Sequence, residues 1–423
     1  MLIAGCGSKN ISPFATEEPD LQFPIAKSDA VARENPTAFN ENISKQAESI
    51  NKFAVAMYNQ LKKDGKNLFM SPYSITAALA MTAAGACGDT KQQILDALQV
   101  DLEGVAFDQA INAIDQSITD HGSTTEGISL SIINSTWLQS GWNFKVSYLD
   151  HLSRYYGAGV NLVDFMEKPE ECRQIINAWV ADQTNDKILN LLPEGSIHPV
   201  TRVVLTNAIY FFGDWLYAFN SEYTSSKKFM LLDNSIVQAP VMSLNKPDST
   251  VIMLYARGSG FRALDFPYKG GRIAMTVLFP DSGSFTSVEN ALSAAMLKQV
   301  FASLQPETLE VSLPKYKFTY GTDTLRSALK HLGMIDAFDP NRADLSGIDG
   351  SRTLYVDNVY HKAFISVDEK GTEAAAATAV VIDWRGPEKP VFKVDRPFIF
   401  MIRDKEAGTI LFMGRILNPL ITE

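Results

Sequence analysis

Between Val367 and Val381 the chain reads VDEKGTEAAAATAVV: an acidic pair, one glycine, Thr372-Glu373, and then only small residues from Ala374 to Ala379. The chemistry open to such a stretch is that of its backbone. Alanine-rich runs favour helix. At a period of two, however, one face carries Thr372, Ala374, Ala376, Thr378, Val380 and Ile382, and the other carries Glu373, Ala375, Ala377, Ala379, Val381 and Asp383. Small side chains meet little steric resistance on entering a packed sheet. The segment therefore suits two conformations, an exposed loop and a strand slid between two existing strands. Shortly after it stands Trp384-Arg385-Gly386-Pro387. Behind an apolar stretch, Arg385 offers a guanidinium able to make charge-assisted hydrogen bonds to a carboxylate.

Little else in the chain has the spacing of a reaction centre. The five histidines, at 121, 151, 198, 331 and 361, show none of the close His/Cys/Glu spacings of zinc sites. There is no Gly-x-Ser-x-Gly elbow and no catalytic-cysteine context. Gly258-Ser259-Gly260 superficially matches a dinucleotide fingerprint, but Pro267 follows too soon for the helix such a site needs, and the segment reads as a turn between strands. We expect no enzyme, no metal and no cofactor.

The supporting elements follow from periodicity. Apolar spacing predicts helices over 47–61, 74–86, 91–98, 146–156 and 170–185. Strands are predicted at 128–138, 203–212, 251–255, 273–279, 309–318, 398–403 and 410–417, with 203–212 apolar enough to be buried on both faces. Helices come early and strands late, which fits an α+β domain with large mixed sheets. Hydrophobic residues at 46% and charged residues at 20% are ordinary for a globular chain able to fill a large core. A net charge of −10 argues against nucleic acid as a partner.

The motifs along the chain resemble those of inhibitory serpins. Asn67, Ser71, Pro72, Ser74 and Leu79 match that family's N-x-x-x-S-P-x-S-x-x-x-x-L segment. It is followed in family order by Ile176–Ile188, Leu205–Trp215, Leu264–Tyr268, Ala343–Ile348, His361–Ala375 and Asp395–Pro419. The resemblance covers roughly residues 45 to 423 and implies one α+β domain of three β-sheets and eight or nine helices, with an exposed reactive loop at about 369–390. The hinge of that loop would comprise Glu369, Gly371, Thr372, Glu373, Ala374, Ala375, Ala376 and Ala377.

The same resemblance implies roles for single residues. Ser71, Ser74, Asn207 and His361 would form a buried hydrogen-bond latch beneath the centre of the main sheet, and Trp215 would mark the point where the loop goes in. Counting seventeen positions inclusively from Glu369 arrives at Arg385, so the scissile bond is expected at Arg385-Gly386, and the target to be a trypsin-like serine protease or a cysteine protease. A register one residue shorter would present Trp384 to a chymotrypsin-like enzyme, and a cut near Val381 or Ile382 would suit an elastase. A non-inhibitory binding protein is the alternative, although such relatives often lose the small-residue hinge kept here. Heparin-type activators bind a basic helix in the family. The corresponding stretch, 101–120, has no Lys or Arg, so no heparin binding is expected.

Near the N-terminus, Ile3-Ala4-Gly5-Cys6 fits the lipobox of bacterial lipoproteins, whose cysteine thiol is lipidated. Only five residues precede Cys6, so the reading is of a trimmed signal over 1–6, a polar flexible linker over 7–47 and the folded domain over 48–423. A membrane anchor through Cys6 would place the protein at the cell envelope or cell surface; without it the protein would be secreted. Cys87 and Cys172 read as buried or half-buried thiols.

Overall fold

The computed structural model describes residues 23–36, 38–62, 65–244, 251–322, 325–372 and 391–422. The chain starts with a short strand β1 (Ile25–Ala26) and then α1 (Glu41–Leu61), β2 (Leu68–Met70), α2 (Pro72–Gly85), α3 (Gly88–Ala97) and α4 (Val105–Thr124). Next come β3 (Ile128–Gln139), α5 (Val146–Tyr156), β4 (Val160–Val163), α6 (Pro169–Gln183) and β5 (Val203–Asp214). A strand-rich stretch follows: β6 (Ser225–Met230), β7 (Ile236–Ser243), β8 (Val251–Gly258), β9 (Phe261–Pro267) and β10 (Ile273–Pro280). After α7 (Phe285–Asn290) and α8 (Ala294–Ser303) run β11 (Gln305–Pro314), β12 (Tyr316–Thr322), α9 (Leu325–His331) and α10 (Ser346–Asp349). The last strands are β13 (Asn358–Val367), β14 (Gly371–Thr372), β15 (Val391–Lys393), β16 (Phe398–Asp404) and β17 (Thr409–Ile416).

The main sheet has the order β1-β4-β3-β5-β13-β12, with β14 added on β5. The other ladder, β2-β17-β16-β10-β9-β8-β11-β7-β6, changes sheet along β11. Residues Gln305–Leu309 of that strand pair with β8, whereas Ser312–Pro314 pair with β7 and Glu310–Ser312 with β15. With the main sheet this makes three sheets. Two faces of β5 organise the core. Val203, Leu205, Ile209 and Phe211 point inward to the large core shared with α1, α2 and β17, while Val204, Ala208 and Tyr210 point outward beneath α6. That alternation explains why β5 reads as a continuous apolar run. Among the described residues no helix is long and apolar enough to cross a membrane.

Local chemistry sets the start of α2. Ser71 caps α2 by accepting from the Ser74 N–H, and Pro72 at its first position needs no hydrogen-bond partner there. Gly258-Ser259-Gly260 is the turn from β8 into β9.

Two expectations are corrected. The strand expected over 309–318 is two strands in different sheets. Lys315 separates them, its N–H donating to Pro240 O at 2.8 Å, and an alternating pattern cannot register a change of partner. Residues 23–36 and 40–47, expected to belong to a flexible linker over 7–47, are part of the folded body, which begins before residue 48. Asn40 caps α1, whose first residue is Glu41, and residues 23–36 are docked on the body, with β1 paired to β4. A two-residue strand held by backbone bonds to a sheet edge has no apolar periodicity to detect. The part of the linker before residue 23, and the signal remnant, lie outside the described residues.

Candidate functional site

The parallel β5–β13 seam lies at the centre of the main sheet. Its ladder runs from Asn358 opposite Val204 to Phe364 opposite Tyr210. Above that level the two strands part, and β14 takes the vacated pairing positions on β5, with Gly371 opposite Asp214 and Thr372 opposite Gly213. This pair is antiparallel, the direction a strand descending into the seam must take.

A polar rung crosses the seam halfway down. Asn134 of β3, Asn207 of β5 and His361 of β13 lie side by side in register. His361 Nε2 accepts the Ser71 N–H at 3.3 Å, which leaves Nδ1–H to donate to Asn207 Oδ1. Asn207 Nδ2 donates to Ser74 Oγ at 2.6 Å and to Asn134 Oδ1 at 2.5 Å. Ser74 Oγ donates to Asn134 Oδ1 at 2.9 Å, and Ser71 Oγ to Leu411 O at 2.7 Å. Burial pushes the His361 pKa down to about 3, so the ring is neutral and serves once as donor and once as acceptor. Every named member has a partner, the condition under which a buried network holds a sheet closed rather than weakening it.

The mouth of the seam is built around Trp215. Its backbone N–H donates to Lys370 O at 2.9 Å and its indole N–H to Asp368 O at 3.0 Å. The ring stacks on Tyr268 with centroids 4.5 Å apart, and Tyr268 Oη lies 3.0 Å from Thr372 Oγ1. Glu369 is held by Lys315 Nζ at 2.6 Å and Thr224 Oγ1 at 2.7 Å. Burial alone pushes the Glu369 carboxyl up; the hydrogen bonds from Lys315 and Thr224 outweigh it and leave the pKa below its ordinary value. Gly371 is required by close approach, because a Cβ there would lie 2.0 Å from Gly213 O.

The structure thus brings Ser71, Ser74, Asn207 and His361 together, and Glu369, Gly371, Thr372 and Trp215 at the mouth. Glu373, Ala374, Ala375, Ala376, Ala377, Arg385, Gly386 and Cys6 lie outside the described residues. Sequence reasoning missed Asn134, Lys315 and Thr224. An asparagine amid the apolar alternation of β3 was a usable signal; nothing local marks the other two. Cys172 is buried, which raises its thiol pKa to about 12, and Cys87 is half-exposed.

Comparison with known proteins agrees with this geometry. A family model described as Serpin (serine protease inhibitor) matches residues 48–419. An uncharacterised serpin-like protein of Thermococcus kodakarensis is 34% identical over 425 residues, covering 99% of this chain and 96% of its own. The thermophilic serpin tengpin, solved in the native state, superposes with a TM-score of 0.79 at 27% identity, over 91% of this chain and 97% of that one. Human thyroxine-binding globulin complexed with thyroxine superposes with a TM-score of 0.78 at 27% identity, over 90% and 100% of the two chains. With a family model spanning most of the residues, a relative matched nearly end to end, and a three-sheet body whose loop strand stands at the mouth of the central seam, the chain belongs to the serpin family.

Proposed function

We propose that this serpin is a protease inhibitor that acts as a suicide substrate, cut at Arg385-Gly386 by a trypsin-like serine protease. The observation that carries the reading is β14: Thr372 is already buried and paired with β5 at the top of the seam, below which β5 pairs directly with β13. Continuing the same antiparallel register sets Ala374 opposite Phe211, Ala376 opposite Ile209, Thr378 opposite Asn207, Val380 opposite Leu205 and Ile382 opposite Val203. All of these β5 residues share one face of the strand. The small hinge residues then meet the bulky upper core, and Thr378 arrives at Asn207, where a hydroxyl can take the place of the His361 ring.

The covalent step conserves atoms and electrons. The protease hydroxyl attacks the Arg385 carbonyl carbon, its proton passes to the protease's base, and the C–N bond to Gly386 breaks as the amine leaves with that proton. Arg385 remains as an ester on the protease. The freed loop inserts, each new ladder hydrogen bond contributing about 0.5–1.5 kcal/mol, and residues 372–385 extended at about 3.3 Å each carry the tethered protease on the order of 45 Å. Release of strain by loop insertion is a recognised switching mode. A cysteine protease would follow the same path through a thioester.

Incubation with trypsin tests the reading: a covalent band that survives boiling in detergent is expected, and complete cleavage without one would sink it. The rival reading, a non-inhibitory binding protein, draws on the likeness to thyroxine-binding globulin, whose complex holds thyroxine. The unbroken small-residue hinge favours inhibition. The lipobox at Ile3–Cys6 supports attachment to a membrane through a lipid on the Cys6 thiol, with the inhibitor displayed at the cell surface. Loss of fatty-acid labelling in Cys6→Ser is the outcome expected of that anchor.

A further inference from the structure

The point at which the chain leaves the body toward Cys6 lies at one end of the main sheet. Followed backwards, β1 runs down the edge of β4: Ala26 is opposite Val160, Ile25 is opposite Asn161, and Pro24 O accepts the Leu162 N–H at 2.9 Å. The Phe23 ring centroid lies 4.8 Å from that of Trp137, a residue opposite Val204. Residue 23 is therefore at the foot of the sheet, where β3 and β4 end and β5 begins. The mouth of the seam, where Gly371 pairs with Asp214, stands about 33 Å away along β5.

A trapped protease would come to rest at that same foot. In the register proposed above Ile382 falls opposite Val203, the first residue of β5, so an ester on Arg385 lies just past the end of the strand. Counting outward from an inserted strand, β5, β3, β4 and β1 follow at about 4.8 Å each, which sets the exit of the chain about 19 Å to the side. A globular protease of roughly 220 residues has a radius of about 22 Å and a diameter of about 45 Å. It would cover the exit. Residues 7–22 join Cys6 to Phe23, and even drawn straight, at about 3.3–3.6 Å each, they reach no farther than roughly 55 Å. That reach exceeds one protease diameter by only about 10 Å.

We propose that the foot of the main sheet is the membrane-facing pole of this protein, and that residues 7–22 are a clearance tether whose length lets one trapped protease lodge between that pole and a lipid bilayer. The proposal rests on the insertion and lipid-anchor readings above. Orientation is read without any protease, on the full lipidated chain in vesicles of phosphatidylethanolamine and phosphatidylglycerol. In a Cys87→Ser background, one fluorescent label is placed at the foot by Val200→Cys and another near the mouth by Glu222→Cys; both positions are exposed, and Cys172 is buried. Energy transfer to rhodamine-labelled lipid should be about twofold or more stronger from 200, because the mouth stands about 33 Å farther out. Equal transfer, or stronger transfer from 222, overturns the membrane-facing pole. Clearance is read by deleting residues 11–18, which leaves a reach of roughly 27 Å. On vesicles the covalent complex with trypsin should fall about tenfold or more in favour of cleaved product, since a tether that cannot span a site forbids its occupation. The same deletion in soluble Cys6→Ser should trap trypsin normally. Undiminished complex on vesicles overturns the clearance tether. If Cys6 carries no lipid, coupling its thiol to a maleimide-bearing lipid in the same vesicles, in the Cys87→Ser background, separates failure of the anchor reading from failure of the geometry. Soluble Cys6→Ser that traps no trypsin would refute the insertion reading and the clearance role with it, while energy transfer still decides the pole.

Discussion

Tyr268 Oη and Thr372 Oγ1 lie 3.0 Å apart in the core, joined by a hydrogen bond across 104 residues of chain. Burial raises the Tyr268 pKa, so the phenol stays neutral, and its ring is clamped on Trp215. The Thr372 side chain is therefore held by a specific polar contact at the mouth of the seam. A strand continued from Thr372 in the proposed register would inherit its parity.

Parity makes the first prediction. Thr372→Arg and Ala374→Glu place a charge on the inward face, where burying it unpaired costs several kcal/mol. Both variants should be cleaved as ordinary substrates without a stable complex. Ala375→Glu points to the outer face, where the ammonium groups of Lys187 and Lys317 approach the Phe364 ring, and should remain an inhibitor. Gel analysis of complex against cleaved product decides; equal behaviour of Ala374→Glu and Ala375→Glu would refute the register.

Arg385→Ala should lower the association rate with trypsin by about thirty- to a thousand-fold, the equivalent of roughly 2–4 kcal/mol of charge-assisted contact in the protease pocket. Folding should be unaffected. The C-terminal fragment released from the unmodified protein should begin at Gly386. A fragment beginning at Arg385 would assign the bait to Trp384, and one beginning near Ile382 or Asp383 would indicate an elastase-like target.

Cutting the loop should stabilise the protein against heat. A new strand would exchange the single parallel β5–β13 ladder for antiparallel ladders on both of its own sides, and Tm should rise by on the order of tens of degrees. Calorimetry before and after limited proteolysis measures this, and an unchanged Tm would favour the non-inhibitory reading.

The latch should weaken in acid. With a folded pKa of about 3 against 6.5 for the free ring, His361 binds its proton more weakly in the native state than in the unfolded chain. Its contribution is complete above pH ~6.5 and declines as pH falls from there toward 3. The drop in Tm between those limits should be shallower in His361→Gln than in the unmodified protein, since the carboxylates titrate in both. Parallel profiles would show that the ring does not stay neutral in the latch.

Much of this was legible in the chain. The helix 146–156 ends where its apolar period ends, and β5 reads as buried on both sides. Such features depend on neighbours a few residues apart, and a one-dimensional pattern records them. Ser71, Ser74, Asn207, His361 and Trp215 were found through family motifs rather than from any local signal.

What the chain alone determined is the type of each element and which of its faces is apolar. Tertiary structure decided who pairs with whom. Lys315 breaks a strand because Glu369 and Pro240 await it from distant segments, Asn134 completes a latch that spans three strands and a helix, and residues 24–26 pair with the edge of β4 through backbone bonds that carry no side-chain signature. These contacts join residues up to hundreds of positions apart. Their free energies come from burial and partner geometry that exist only once the sheets have formed, so no window of sequence contains them.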